Sequence, residues 1–173
     1  MSLEGKRIAV LAENDYEDLE LLYPWLRLIE AGAKVDIVGT GSADSYLSKH
    51  GYPIKVDVSA DAVKAADYDG VVVPGGFAPD RMRRYPALLR LVRELNAEGK
   101  VVAAICHAGW VFVSAGILKG KTVTSTPAIK DDMINAGATW IDQEVVVDGN
   151  MVTSRKPGDL PAFMKAIIAY LGG

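Results

Sequence analysis

Val101-Val-Ala-Ala-Ile-Cys-His-Ala-Gly109 runs from an unbroken apolar segment into a cysteine, a histidine and two small residues. An apolar run without polar alternation describes a strand covered on both faces, as inside a parallel sheet. From Val101 to Leu118 only His107 and Ser114 are clearly polar, which approaches the ~18 residues of a membrane span. The break at Cys-His-Ala-Gly favours a buried strand, a tight turn and a buried helix over Ala108 to Ala115.

The same unit recurs outward along the chain. Arg7 to Ala12 is a short apolar strand. Leu22, Trp25, Leu26 and Ile29 then recur at helical spacing behind Glu17, Asp18 and Glu20, with Gly32 as a stop and Pro24 as a possible bend. Lys34 to Val38 reads as a second strand, and Tyr52 to Val58 as an exposed hairpin or edge element. Val71-Val-Val73 runs into Pro74-Gly75-Gly76, and Pro86 opens a helix through Ala97. Further on come a strand at Thr122 to Ser125, a helix at Ile129 to Ala136, short strands Glu144 to Asp148 and Met151 to Ser154 around Gly149-Asn150, and a closing helix from Pro157 to Leu171. This alternation predicts one α/β domain over residues 1–173: a mostly parallel sheet, helices on both faces and a small hairpin appended near the C-terminus.

Of the 173 residues 50% are hydrophobic and 24% charged, with a formal net charge of -3. No long basic block is present, so no nucleic-acid partner is expected. The cluster Arg81, Arg83, Arg84 reads as a solvated helix face or a subunit contact. One cysteine excludes an internal disulfide, and with only His50 and His107 beside it no metal site is expected. Neither a Gly-x-Gly-x-x-Gly pattern nor a phosphate-loop lysine occurs, so no nucleotide cofactor is expected. The N-terminal residues show no apolar run before the first strand, and a cytoplasmic location is expected.

Ligands of parallel sheets gather beyond the carboxyl ends of the strands. Three features fall there: Asn14 to Glu17, Gly75-Gly76 and Cys106-His107. Cys106 sits at a strand-to-helix turn with Ala104 and Ala108 two residues either side, the pattern of a nucleophile elbow, and the following helix N-terminus would favour a thiolate. The alternative is an inert core thiol. Gly75 and Gly76 let backbone N–H groups approach a reacting oxygen, with the His107 amide completing an oxyanion hole; a positive-φ turn explains the pair equally well. Glu17 could be held neutral in a dry crevice and donate to the sulfur, or serve the helix end. Asp18 and Glu20 are read as partners of the helix dipole, and His50 as solvent-exposed.

With these residues in hand, the chain resembles the DJ-1/PfpI superfamily, and specifically its PfpI subfamily of so-called intracellular proteases. The resemblance rests on Asn14-Asp-Tyr-Glu-Asp-Leu-Glu20, Lys49-His-Gly51, Val73-Pro-Gly-Gly76 with Pro79-Asp80, Ala104-Ile-Cys-His107, Lys130-Asp-Asp-Met-Ile-Asn-Ala-Gly137 and Glu144-Val-Val-Val-Asp-Gly-Asn150. It implies a flavodoxin-like three-layer sandwich, Cys106 as nucleophile, His107 as neighbouring base or orienter, and Glu17 as the protonated carboxyl near the sulfur. It also implies that Asp80 completes a triad in the adjacent subunit of a homodimer or homohexamer. Asp80 stands where the family mainly has Glu, Ala108-Gly109 replaces Gly-Pro, and Thr126 stands where some relatives have Tyr.

The family resemblance carries two activities: conversion of reactive dicarbonyls such as methylglyoxal, with repair of early glycation adducts on proteins or nucleotides, and peptide hydrolysis. A soft sulfur nucleophile adds readily to an aldehyde, whereas an amide also demands leaving-group protonation. The favoured expectation is therefore a Cys106 thiolate acting on small aldehydes or glycated substrates, with a cysteine peptidase as alternative. A non-enzymatic redox sensor or chaperone is the alternative from another class. A glutaminase is set aside because no histidine follows His107, and a response regulator because the strand before Pro74 lacks a phosphorylatable Asp.

Overall fold

The segment Val101–Ile105 is a strand whose residues are all buried in the computed structural model, which describes residues 2–172. The elements in chain order are β1 Arg7–Ala12, α1 Asp18–Glu30, β2 Lys34–Gly39, β3 Ser45–Leu47, β4 Pro53–Lys55, β5 Val58–Ser59, β6 Gly70–Val73, α2 Ala78–Met82, α3 Pro86–Ala97, β7 Val101–Ile105, α4 Gly109–Ala115, β8 Thr122–Val123, α5 Lys130–Asn135, β9 Thr139–Trp140, β10 Val145–Asp148, β11 Met151–Ser154 and α6 Leu160–Tyr170. Seven strands form one sheet in the order β10-β11-β7-β6-β1-β2-β5. Every neighbour pair is parallel except β10 with β11. Helices α1 and α6 pack on one face and α3, α4 and α5 lie on the other, giving the three-layer flavodoxin-like sandwich.

The central strands are apolar because both faces are covered, so no alternation is needed. Strands β6 and β7 are buried at every residue. The order of strands across the sheet reverses between β1 and β6, and a crevice opens beyond the carboxyl ends of such neighbouring strands. The three segments of interest, Asn14 to Glu17, Gly75-Gly76 and Cys106-His107, all lie at that end.

Several local expectations change. The C-terminal hairpin is present as expected, and it joins the main sheet: β11 pairs in parallel with β7, so β10 forms the sheet's edge. Tyr52 to Val58 divides, β4 pairing with the short strand β3 while β5 joins β2. Strand β8 stops at Val123 and pairs with β9 outside the main sheet. Helix α2 was not expected; it is a single short turn after the glycines. In α1 the buried face is Glu20, Leu21, Pro24 and Leu28, while Leu26 and Ile29 of the expected stripe face outward. The helix is apolar around much of its girth, so periodicity alone does not select its inner face.

Candidate active site

Strand β7 ends at Ile105, and a single 3-10 turn, Cys106–Ala108, leads into α4. Cys106 has φ of 62°, a left-handed conformation that costs an L-residue about 1–2 kcal/mol. Small neighbours make the turn possible: Ala104 and Ala108 are buried, and a methyl on Gly109 would run into Met133. The Thr126 N–H donates to the Cys106 carbonyl at 3.3 Å and ties the turn to the loop after β8. Strain at a half-buried thiol is the signature of an elbow rather than of ordinary core packing.

Around the sulfur, His107 Nδ1 lies 3.2 Å from Cys106 Sγ. Burial, with a smaller push from Lys49, holds the His107 imidazole below its ordinary range, so it is neutral and able to accept a proton. The backbone amides of His107 and Gly76 face the sulfur and favour charge on it. The Gly75-Gly76 pair does not supply two free donors. The Gly75 N–H is taken, donating to Glu20 Oε2 at 2.8 Å. Gly75 serves instead by lacking a side chain, because an added Cβ would collide with the Glu20 carboxyl and lie 2.7 Å from Cys106 Cβ.

The carboxyl beside the thiol is that of Glu20, not Glu17. Glu20 is fully buried on the inner face of α1, and burial followed by repulsion from Glu17 pushes it up to about 8. Its Oε1 is buried and has no hydrogen-bond partner among the described residues. Glu17 takes the structural alternative: it is the N-cap of α1, its Oε2 accepting the Glu20 N–H at 3.0 Å. The spacing that hid this is short, since Glu17 and Glu20 are three residues apart in one helical turn. The available signal was the helical face shared by Glu20, Leu21, Pro24 and Leu28.

Burial pushes the Cys106 thiol up, and a charge on Glu20 would push the same way; the amides of His107 and Gly76 oppose both. The following helix N-terminus is set back from the sulfur: α4 is seven residues long and begins beyond the 3-10 turn. The amides of His107 and Gly76 remain to favour a thiolate, and His107 Nδ1 lies within reach of the thiol proton.

A pocket of about 420 Å³ opens over the sulfur, walled by Phe77 and Trp110 with Lys49 at its edge. Trp110 is held by Nε1 donating to Asp132 at 2.9 Å and stands 5.2 Å from the His107 ring. Asp80 does not join His107 within the chain; its carboxylate pairs with Arg84, four residues on and just beyond α2. Arg81 pairs with Asp15 at 2.7 Å, and Arg83 donates to Ser114 while lying over the Trp110 ring, so each arginine of the basic cluster has a partner. His50 is exposed as expected, though Nδ1 lies 2.8 Å from Asp18. No group of metal-ligating side chains occurs among the described residues, and none of their helices is long and apolar enough to cross a membrane.

A parallel three-layer sandwich with a strained cysteine at the carboxyl end of a central strand defines a class, and residues 6–170 match the model of the DJ-1/PfpI family. The chain belongs to this family. It is 47% identical over 165 residues to the deglycase PfpI of Pyrococcus furiosus, covering 95% of this chain and 99% of that protein. It is 40% identical over 167 residues to the putative cysteine protease YraA of Bacillus subtilis, with 96% and 99% covered. Among solved structures, a two-domain protein with DJ-1/ThiJ/PfpI-like and ferritin-like domains from Anabaena variabilis superposes with a TM-score of 0.94 at 43% identity; the match covers 96% of this chain and 48% of that one.

Proposed function

We propose that this chain is a cysteine-dependent enzyme acting on reactive carbonyls, converting methylglyoxal-type dicarbonyls and reversing early glycation adducts on proteins or nucleotides. The observation that carries the reading is the Cys106 Sγ to His107 Nδ1 contact of 3.2 Å, set beside a buried Glu20 that keeps its proton to about pH 8. The deglycase name of the Pyrococcus furiosus relative supports it.

In the proposed reaction Cys106 adds to the aldehyde carbon as His107 takes the thiol proton, and a proton from the acid pair reaches the carbonyl oxygen, giving a hemithioacetal. The His107 and Gly76 amides favour the developing negative charge. Removal of the proton on the former aldehyde carbon and its return to the neighbouring carbon, with the hydroxyl proton passing to the neighbouring oxygen, gives a thioester. Water then releases lactate and restores the thiol, so methylglyoxal and water balance lactate.

Peptide hydrolysis is the second reading, favoured by the protease name of the Bacillus subtilis relative. A triad completed between copies is part of the same proposal: Asp80 does not reach His107 within one chain, and α1 presents Leu19, Tyr23, Leu26 and Ile29 outward for a second copy. Lactate formation from methylglyoxal by the unaltered chain and by Cys106→Ser, with a fluorogenic peptide in parallel, tests the readings. Lactate lost in the variant supports the carbonyl enzyme. Cysteine-dependent peptide cleavage alone would replace it with the peptidase, and silence in both assays would leave a redox sensor or chaperone.

A further inference from the structure

Among the described residues lining the pocket over Cys106, Lys49 is the one lysine or arginine. Its ammonium makes no hydrogen bond within the described residues. The nearest carboxylate oxygen, Glu17 Oε1, is 3.8 Å away, beyond hydrogen-bond length. Glu17 is moreover committed elsewhere, its other oxygen capping α1, whose N-terminal end offsets part of its charge. The base of Lys49 is fixed: its backbone N–H donates to the Tyr16 carbonyl at 2.9 Å, fastening this loop to the turn after β1. Its charge reaches the reacting groups, since it acts on both His107 and Glu20.

A pocket with aromatic walls, a neutral acid and base, and one cation that faces the Glu17 carboxylate at 3.8 Å without a hydrogen bond suits a particular chemistry. The aromatic surfaces accept the carbon skeleton, while the ammonium is left to meet an anionic group on the ligand. We infer that Lys49 is a specificity-determining residue that selects carbonyl substrates bearing an anionic group close to the reacting carbon. The inference deepens, and rests on, the reading of Cys106 as a nucleophile toward carbonyls.

Cys106 is the only cysteine, so its alkylation can be read on the whole protein without any turnover. Iodoacetate and iodoacetamide are near-isosteric probes in which the electrophilic carbon carries a carboxylate or a neutral amide. Each forms the carbon–sulfur bond and releases iodide and the thiol proton. Because both draw on the same thiolate population, the ratio of their rates removes differences in thiol ionisation. Relative to the unaltered chain, Lys49→Gln is expected to lower the iodoacetate-to-iodoacetamide ratio about four- to tenfold, as loss of one nearby charge in a partly hydrated pocket would do. Lys49→Arg should hold it within about twofold, keeping the charge. An unchanged ratio in Lys49→Gln, or an equal fall in both variants, overturns the inference. Failure of methylglyoxal turnover alongside the expected ratios would remove the carbonyl reading and leave anion selection at Cys106 standing.

Discussion

Two turns at the carboxyl end of the sheet contain the non-glycine residues with positive φ among the described residues, Asp15 at 63° after β1 and Cys106 at 62° after β7. Their backbones are nearly alike and their surroundings are not. Asp15 has a short carboxylate, which tolerates the left-handed region better than most side chains. It lies on the surface in an ion pair with Arg81. Cys106 has no such local compensation; it is largely enclosed against Glu20, His107 and Gly76. The same strain is therefore a turn device in one place and, in the other, a means of presenting sulfur to the pocket.

The comparison breaks most sharply on activity. Cys106→Ser should lose methylglyoxal turnover by at least about a thousandfold, about 4 kcal/mol of barrier, whereas Asp15→Gly should stay within about threefold. Steady-state lactate assays on both variants decide this.

Glu20 supplies the next effect, in stability. Its ordinary value of 4.5 rises to about 8 in the folded chain, so between these limits the folded state binds more protons than the unfolded one. Stability should fall as pH rises through that window, by roughly 3–5 kcal/mol. Glu20→Gln should flatten that dependence in urea unfolding followed across pH, and keep a neutral donor for the sulfur.

Gly75→Ala should cost about 2 kcal/mol, because the new methyl collides with the Glu20 carboxyl and crowds Cys106. The urea midpoint measures it. Smallest is Glu17→Ala, about 1 kcal/mol from loss of the cap to the Glu20 N–H. Thermal unfolding of this variant beside Glu20→Leu separates a capping carboxylate from one whose removal also impairs turnover.

The architecture was legible because buried strands such as Val101–Ile105 and Val71–Val73 lack alternation, and glycines or prolines lie just beyond their ends. Cys106 and His107 were legible for the same reason: a polar pair at the end of an apolar strand stands out. The sulfur's carboxyl was not, because Glu17, Asp18 and Glu20 occupy one helical turn, where all three equally satisfy a helix dipole. Only the packing of Leu21, Pro24 and Leu28 turns Glu20 inward. Gly75 misled for a related reason, since its N–H, free by sequence, is captured by that same carboxyl. Strand β3 is only three residues long and so carries no periodicity of its own.

The central claim is that the thiol's acid partner is a neutral Glu20. Titration of the Glu20 side-chain carboxyl carbon by NMR in the folded protein tests it most directly. A midpoint near 8 is predicted, with the resonance disturbed by Cys106→Ser; a midpoint near the ordinary 4.5 would contradict the account and leave the Cys106 turn without its acid.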